Sequence, residues 1–308
     1  EETAIRMTIS SEGGEFRFDD IPYGNWIIRE IAPPEGFTLC TDLFEITISE
    51  DMQAVEFVIV NEPIRASLRL SKTDQDYPDR KLSGAVFEVY QDVNVNEKLD
   101  GDDVLLGTME ETGAGEYVMT EVPYGGILVK ETKAPEGFCL DEEEYYIFVE
   151  RDGETYEVEN MDGKGFVNRA KQGGLKIVKT SSDGKKEGFS FRVVGEGYDE
   201  TFQTDAGGEI LIEKLRIGPY TISEVADGAS AGYKLPDPVR VEVVADGMVT
   251  VDVYNDKEKG EEKVTVTTDY PKTGDGTNVW FWTVLTVAGA GGIAVLLMVN
   301  YRKKKNIK

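Results

Sequence analysis

Residues 122–131 read Val-Pro-Tyr-Gly-Gly-Ile-Leu-Val-Lys-Glu, and the same design occurs twice more in the chain. Ile21-Pro-Tyr-Gly-Asn-Trp-Ile-Ile-Arg-Glu30 precedes it, and Leu215-Arg-Ile-Gly-Pro-Tyr-Thr-Ile-Ser-Glu224 follows it. Each copy joins a turn signal to a short apolar run that ends on glutamate. Repetition at this spacing implies a row of like domains, each with its own core, rather than one large one. The first two copies continue into Pro34-Glu-Gly-Phe37 and Pro135-Glu-Gly-Phe138. The third departs with Asp227-Gly-Ala-Ser-Ala-Gly-Tyr233.

Outward from these segments the chain alternates apolar and polar residues in short runs, as in Ala85-Val-Phe-Glu-Val-Tyr90 and Val239-Arg-Val-Glu-Val-Val244. Clusters of Gly, Pro and Asp cut the runs, and no amphipathic helical period is present. The pattern predicts an all-β protein of tandem immunoglobulin-like sandwiches. The expected domains are 1–63, 64–170 and 171–256, followed by a charged, threonine-rich linker at 257–269. The first is shorter than a full repeat and starts in mid-pattern, as a truncated domain does. The opening Glu1-Glu2-Thr3 carries no initiator methionine or signal peptide, so further sequence is expected upstream.

Composition narrows the function. The net charge is −26, there is no histidine, and there are two cysteines in 308 residues. So acidic a body repels phosphate backbones, which argues against nucleic acid as a partner. Cys40 and Cys139 fall in different domains, form no disulfide framework and are expected as buried or idle thiols. Without histidine, most zinc sites and most nucleophile–base pairs are excluded, and a metabolic enzyme is not expected.

The C-terminal end carries an address. Val279 to Val299 is free of charge and, as a helix, would span about 31 Å, the thickness of a hydrocarbon core. Trp280, Trp282 and Tyr301 flank it as an aromatic belt does, and the basic tail at 302–308 begins Arg302-Lys303-Lys304-Lys305. Just before it stands Tyr270-Pro271-Lys272-Thr273-Gly274. This order over 270–308 resembles the cell-wall sorting signal of Gram-positive surface proteins, whose motif is Leu-Pro-x-Thr-Gly. The resemblance implies cleavage by a sortase between Thr273 and Gly274, and transfer of the Thr273 acyl group to an amine of peptidoglycan or of a pilus subunit. Before cleavage the precursor would be held by the membrane helix. Tyr270 stands where the family has leucine, which leaves the sortase class open.

The repeats themselves resemble the SpaA-type, or collagen-adhesin B-type, domains of Gram-positive pilins and adhesins. The features that carry this are Lys72-Thr-Asp74, the Pro-Tyr-Gly turn, a glutamate ahead of Ala-Pro-Glu-Gly-Phe, and a terminal asparagine.

Strand period supplies an independent reason to examine three positions per domain. Leu68, Leu70 and Lys72 share a face, as do Leu175, Ile177 and Lys179. Ile127, Val129 and Glu131 share another, matched by Tyr220, Ile222 and Glu224. Phe166 shares a face with Asn168, and Val249, Val251 and Val253 with Asn255. On this pattern a Lys, a Glu and an Asn enter an apolar layer, where lone polar groups cost several kcal/mol. They are expected to meet there, the amine neutral and the carboxyl protonated. A neutral amine can displace ammonia from the Asn amide while the protonated Glu polarises the carbonyl. The other reading is that both lysines end their strands and turn into solvent. The family resemblance implies the bond: Lys72–Asn168 with Glu131 as catalyst, and Lys179–Asn255 with Glu224. Domain 1 keeps Glu30 and the candidate Asn61, and its lysine strand is expected upstream of residue 1.

Asp92, Asn94, Asn96 and Asp100 place oxygen ligands at alternating positions of an acidic loop, a candidate calcium site and the one cofactor considered. Glu97 occupies the position where an EF-hand loop has glycine, and a solvated acidic hairpin is the alternative. Together these features predict a secreted, wall-anchored stalk, either an adhesin or a minor pilin, whose host or surface ligand is not specified. A shaft pilin needs an acceptor lysine that Tyr77-Pro78-Asp79-Arg80 lacks. The alternative is the wall tether of a surface enzyme encoded upstream.

Overall fold

The computed structural model describes residues 6–159, 165–257 and 263–269. Every regular element among them is a strand. The candidate sorting motif at 270–274, the apolar stretch at 279–299 and the basic tail lie outside the described residues. Among those described, no helix is long and apolar enough to cross a membrane.

In the first repeat β1 (Gly24–Ile28) and β2 (Phe44–Ile48) form a two-stranded antiparallel sheet. The second repeat is a full sandwich. One layer holds β3 (Arg65–Asp74), β6 (Glu110–Gly113), β7 (Glu116–Pro123), β10 (Thr155–Glu157) and β11 (Phe166–Asn168). The other holds β4 (Val86–Asp92), β5 (Val104–Thr108), β8 (Gly125–Lys133) and β9 (Glu144–Val149). The third repeat copies this plan. β12 (Gln172–Ser181), β15 (Glu209–Arg216), β18 (Met248–Asn255) and β19 (Lys263–Asp269) make one sheet. β13 (Ser190–Gly195), β14 (Tyr198–Gln203), β16 (Gly218–Glu224) and β17 (Val239–Val243) make the other.

Each full sandwich is held by the inward halves of its strands. In β3 the residues Ala66, Leu68, Leu70, Lys72 and Asp74 are all buried, and their alternates are more exposed. Side chains of successive residues leave opposite faces of a strand, so a single register decides which set is inside. The second repeat packs Phe87, Tyr117, Tyr145 and Phe166 with aliphatic residues of both layers. Its Phe87 ring meets Tyr117 at 4.9 Å and Phe166 at 4.7 Å between centroids. The third repeat packs Phe189, Phe191 and Tyr220 against Leu175, Ile177, Val249 and Val251.

One expectation changes. Residues 263–269 were expected within a linker, yet they form β19 and pair antiparallel with Met248–Tyr254 of β18. Lys-Val-Thr-Val-Thr-Thr-Asp is β-branched and alternating, and β18 offers it a free edge.

Candidate functional site

In each full repeat the first strand lies parallel to the strand that carries the asparagine, β11 in the second and β18 in the third, and this register builds the site. In the second repeat Phe166 pairs with Lys72 and Asn168 with Asp74. In the third, Val253 pairs with Lys179 and Asn255 with Ser181. The asparagine therefore sits opposite the residue two beyond the lysine in both, so the two side chains share the inner face. The glutamate arrives from the opposite layer. Glu131 pairs with Phe87 and Glu224 with Phe191, again the same arrangement.

In the second repeat all three groups are buried: Lys72 and Glu131 are 0% exposed, and Asn168 is 1% exposed. Lys72 Nζ lies 3.7 Å from Glu131 Oε1. Asn168 Nδ2 donates to Glu131 Oε2 at 2.9 Å and to the Cys139 carbonyl at 2.6 Å. The Asp141 N–H donates to the same Oε2 at 2.8 Å. A carbonyl only accepts, so the Cys139 contact fixes which end of the amide is nitrogen. The carboxyl thus faces the amide nitrogen, whereas the sequence reading had it polarising the carbonyl. Lys72 Nζ, Glu131 Oε1 and Asn168 Oδ1 have no hydrogen-bond partner among the described residues. Burial lowers the Lys72 amine to about 8 despite the attraction of Glu131 and Asp141. Burial also raises the Glu131 carboxyl, outweighing its N–H donors and the lysine. Both shifts favour an uncharged amine beside a protonated acid.

The third repeat differs at the lysine. Asn255 Nδ2 donates to Glu224 Oε1 at 2.7 Å, and Glu224 Oε2 and Asn255 Oδ1 are without partners among the described residues. Lys179 Nζ donates to the Thr180 carbonyl at 2.8 Å and stands 4.3 Å above the Phe189 ring. Burial lowers this amine to about 8 as well, and raises Glu224. Neither lysine turns into solvent, the alternative that periodicity alone had left open.

The first repeat shows the same pair without the lysine. Asn61 Nδ2 donates to Glu30 Oε2 at 2.6 Å and to the Thr38 carbonyl at 2.9 Å, and the Cys40 N–H donates to Glu30 at 2.7 Å. Thr38 and Cys40 stand where Cys139 and Asp141 stand in the second repeat. These main-chain anchors were missed in the sequence, because a backbone group leaves no trace in residue type. Both cysteines are free and partly exposed.

The acidic loop also assembles. Asp92 is buried at the end of β4 and accepts the N–H groups of Asn96 at 3.2 Å and Glu97 at 2.9 Å. Asn94 and Asn96 donate their amides to Asp100 at 3.0 and 2.7 Å. Glu97 adopts φ 62°, the left-handed conformation that glycine supplies in an EF-hand loop. Among the described residues, no group of three or more His, Cys, Asp or Glu side chains is arranged to hold a metal ion.

Comparison with known proteins agrees with this architecture. The SpaA prealbumin-like fold domain matches residues 1–63, 66–164 and 173–257. The Bacillus anthracis TIE protein superposes with a TM-score of 0.62 at 21% identity, over 83% of this chain and 45% of that one. This chain therefore spans less than half the length of that relative. A streptococcal ancillary pilin matches at 21% identity and a TM-score of 0.28, over 77% of this chain and 76% of its own. GBS52, the minor pilin of Streptococcus agalactiae, matches at 17% identity and 0.29, over 64% and 98%. No curated protein matches the chain. Three successive family matches cover most of the sequence, and the chain belongs to the family of SpaA prealbumin-like fold domains.

Proposed function

We propose that this chain is a surface stalk, an adhesin shaft or wall-anchoring minor pilin, whose second and third repeats are each closed by an intramolecular Lys–Asn isopeptide bond. The observation that carries the reading is the buried Lys–Glu–Asn cluster, built twice in the same register. Replacing such a cluster with apolar residues would cost little, whereas a chemical role accounts for keeping it.

The chemistry follows from the contacts. Neutral Lys72 Nζ attacks Cγ of Asn168, the new amide C–N bond forms, and the Cγ–Nδ2 bond breaks. The amine loses a proton to the carboxyl side on which Oε1 lies, and the leaving nitrogen gains one from Oε2, where it already donates. One ammonia leaves, and Glu131 ends as it began. Glu224 has the same division, with Oε1 on the amide and Oε2 unengaged. Each bond ties the first strand of a sandwich to the parallel strand that carries the asparagine, β3 to β11 and β12 to β18. In the second repeat, tension on the two ends of the domain would then load a covalent bridge before the sheet hydrogen bonds between β3 and β11; in the third, β19 lies beyond the bridge and would be loaded first. Digestion of the intact chain and fragment mass spectrometry test the assignment. Branched peptides joining Lys72 to Asn168 and Lys179 to Asn255 are expected; linear peptides alone would refute it.

Anchoring rests on the order of motif, apolar stretch and basic tail at 270–308. A sortase would cut after Thr273 and pass the chain to peptidoglycan or to a pilus subunit. Thr273→Ala is expected to leave the protein with the membrane and out of the muramidase-released wall fraction. Equal wall recovery of variant and parent would remove the sorting assignment.

A further inference from the structure

The second and third repeats are joined by a contact that reaches the reactive cluster. Only residues 169–171 separate β11 from β12. Across this joint Arg216, at the end of β15, donates to the fully buried Asp74 and, at 3.2 Å, to Asp76. Its guanidinium lies 4.8 Å from the centre of the Tyr77 ring and 5.9 Å from that of Phe138. Burial pushes the Asp74 carboxyl up; Arg216 and the Asp76 N–H more than offset this and hold it below the usual range.

Asp74 and Phe138 are the immediate neighbours of the cluster. Asp74 lies two residues beyond Lys72 on the same face and is the register partner of Asn168. Phe138 precedes Cys139, whose carbonyl holds the Asn168 amide. The Gln75 N–H donates to the Asn168 carbonyl at 3.0 Å, and the Cys139 N–H to the Arg169 carbonyl at 2.9 Å. Ile217 extends the contact. Its N–H donates to the Lys171 carbonyl, and its side chain packs over Gly137, where a Cβ would lie 3.7 Å away.

The joint between the first two repeats repeats part of this and lacks the rest. There Tyr124 covers Gly36, where a Cβ would come within 3.3 Å of the ring, and Tyr124 donates to Glu35 at 2.9 Å. Gly36 and Gly137 have φ of +80° and +84°, which favours glycine in both turns, and at Gly36 the close approach of Tyr124 adds to this. Pro123 takes the position of Arg216, so that position offers no cation to the joint.

We infer that Arg216 of the third repeat is a positioning residue for the crosslink of the second, holding the end of β3 and the 135–139 turn so that Lys72 meets Asn168. The inference rests on the isopeptide reading proposed above. A small misplacement of reacting atoms costs one to two orders of magnitude in rate.

The test uses the whole chain, refolded from denaturant, with the ammonia loss of each repeat followed by peptide mapping. Arg216→Ala is expected to slow Lys72–Asn168 closure about tenfold, while Lys179–Asn255 closes at the parental rate and reports that the third repeat has folded. Arg216→Lys is expected to recover part of the lost rate. Equal closure of the second repeat in parent and Arg216→Ala would overturn the inference. Should the parent form no bond in the second repeat, the isopeptide reading fails by itself. Hydrogen exchange then decides the positioning role: faster exchange at the Gln75 and Cys139 amides in Arg216→Ala supports it, and unchanged exchange contradicts it.

Discussion

The second and third repeats share a fold, a register and a Glu–Asn contact, yet they treat the lysine differently. Lys72 Nζ faces Glu131 without a hydrogen bond, whereas Lys179 Nζ is held by the Thr180 carbonyl and the Phe189 ring. The first repeat adds to the comparison, since Glu30 and Asn61 make the same contact with no lysine beside them among the described residues. The Glu–Asn contact is common to the three repeats, and main-chain groups anchor it in the first and second. The lysine is a separate element, brought in by the first strand. Glu30 and Asn61 are partly exposed, whereas Glu131 and Asn168 are sealed.

The largest expected effect comes from removing the acid. Glu131→Ala should abolish closure of the second repeat alone, and Glu224→Ala that of the third alone. A crosslink closing a loop of nearly a whole domain is expected to contribute about 4–5 kcal/mol, if it restrains the unfolded chain as a disulfide does. Calorimetry should show the affected repeat melting earlier and the other unchanged. Loss of both transitions from one substitution would break the picture of independent clusters.

A second effect separates the free lysine from the bonded one. In Asn168→Ala the amine of Lys72 titrates near 8 in the folded chain and at its ordinary 10.5 when unfolded. Between those values the unfolded chain binds more protons, so stability rises with pH, by up to about 3 kcal/mol. Below pH 8 both states are protonated and the gain is absent. In the crosslinked parent Lys72 is an amide, so this slope should vanish. Chemical denaturation from pH 7 to 10.5 measures it, and matching slopes in the two proteins would mean that the parental lysine is free.

The smallest effect concerns a loop that the second repeat has and the third lacks. Its β4–β5 connection is long and acidic, whereas the third repeat turns from β13 to β14 within two residues. Asp92→Ala removes the acceptor for two backbone N–H groups and should cost about 1–3 kcal/mol, equally with and without calcium. A rise in melting temperature at millimolar calcium, present in the parent and lost in Asp92→Ala, would instead place an ion among Asp92, Asn94, Asn96 and Asp100.

Period two made the cluster legible, because the apolar alternation of Leu68 and Leu70 runs on into Lys72 without a break. The same holds for Val129 into Glu131 and for Val253 into Asn255. The Cys139 carbonyl and the Asp141 N–H were not legible, since any residue presents those groups. Arg216 was hidden by distance, as its partner Asp74 lies 142 positions away along the chain and in another repeat. β19 was hidden by composition, its Thr-Val alternation lying next to a run of lysines and glutamates that reads as solvent-exposed linker.

The mass of the intact chain tests the central claim most directly. The account predicts a mass lower than that of the sequence by two molecules of ammonia, with Glu131→Ala and Glu224→Ala each restoring one. A parent protein at its full sequence mass would contradict it, leaving Lys72 and Lys179 as buried amines without a chemical role.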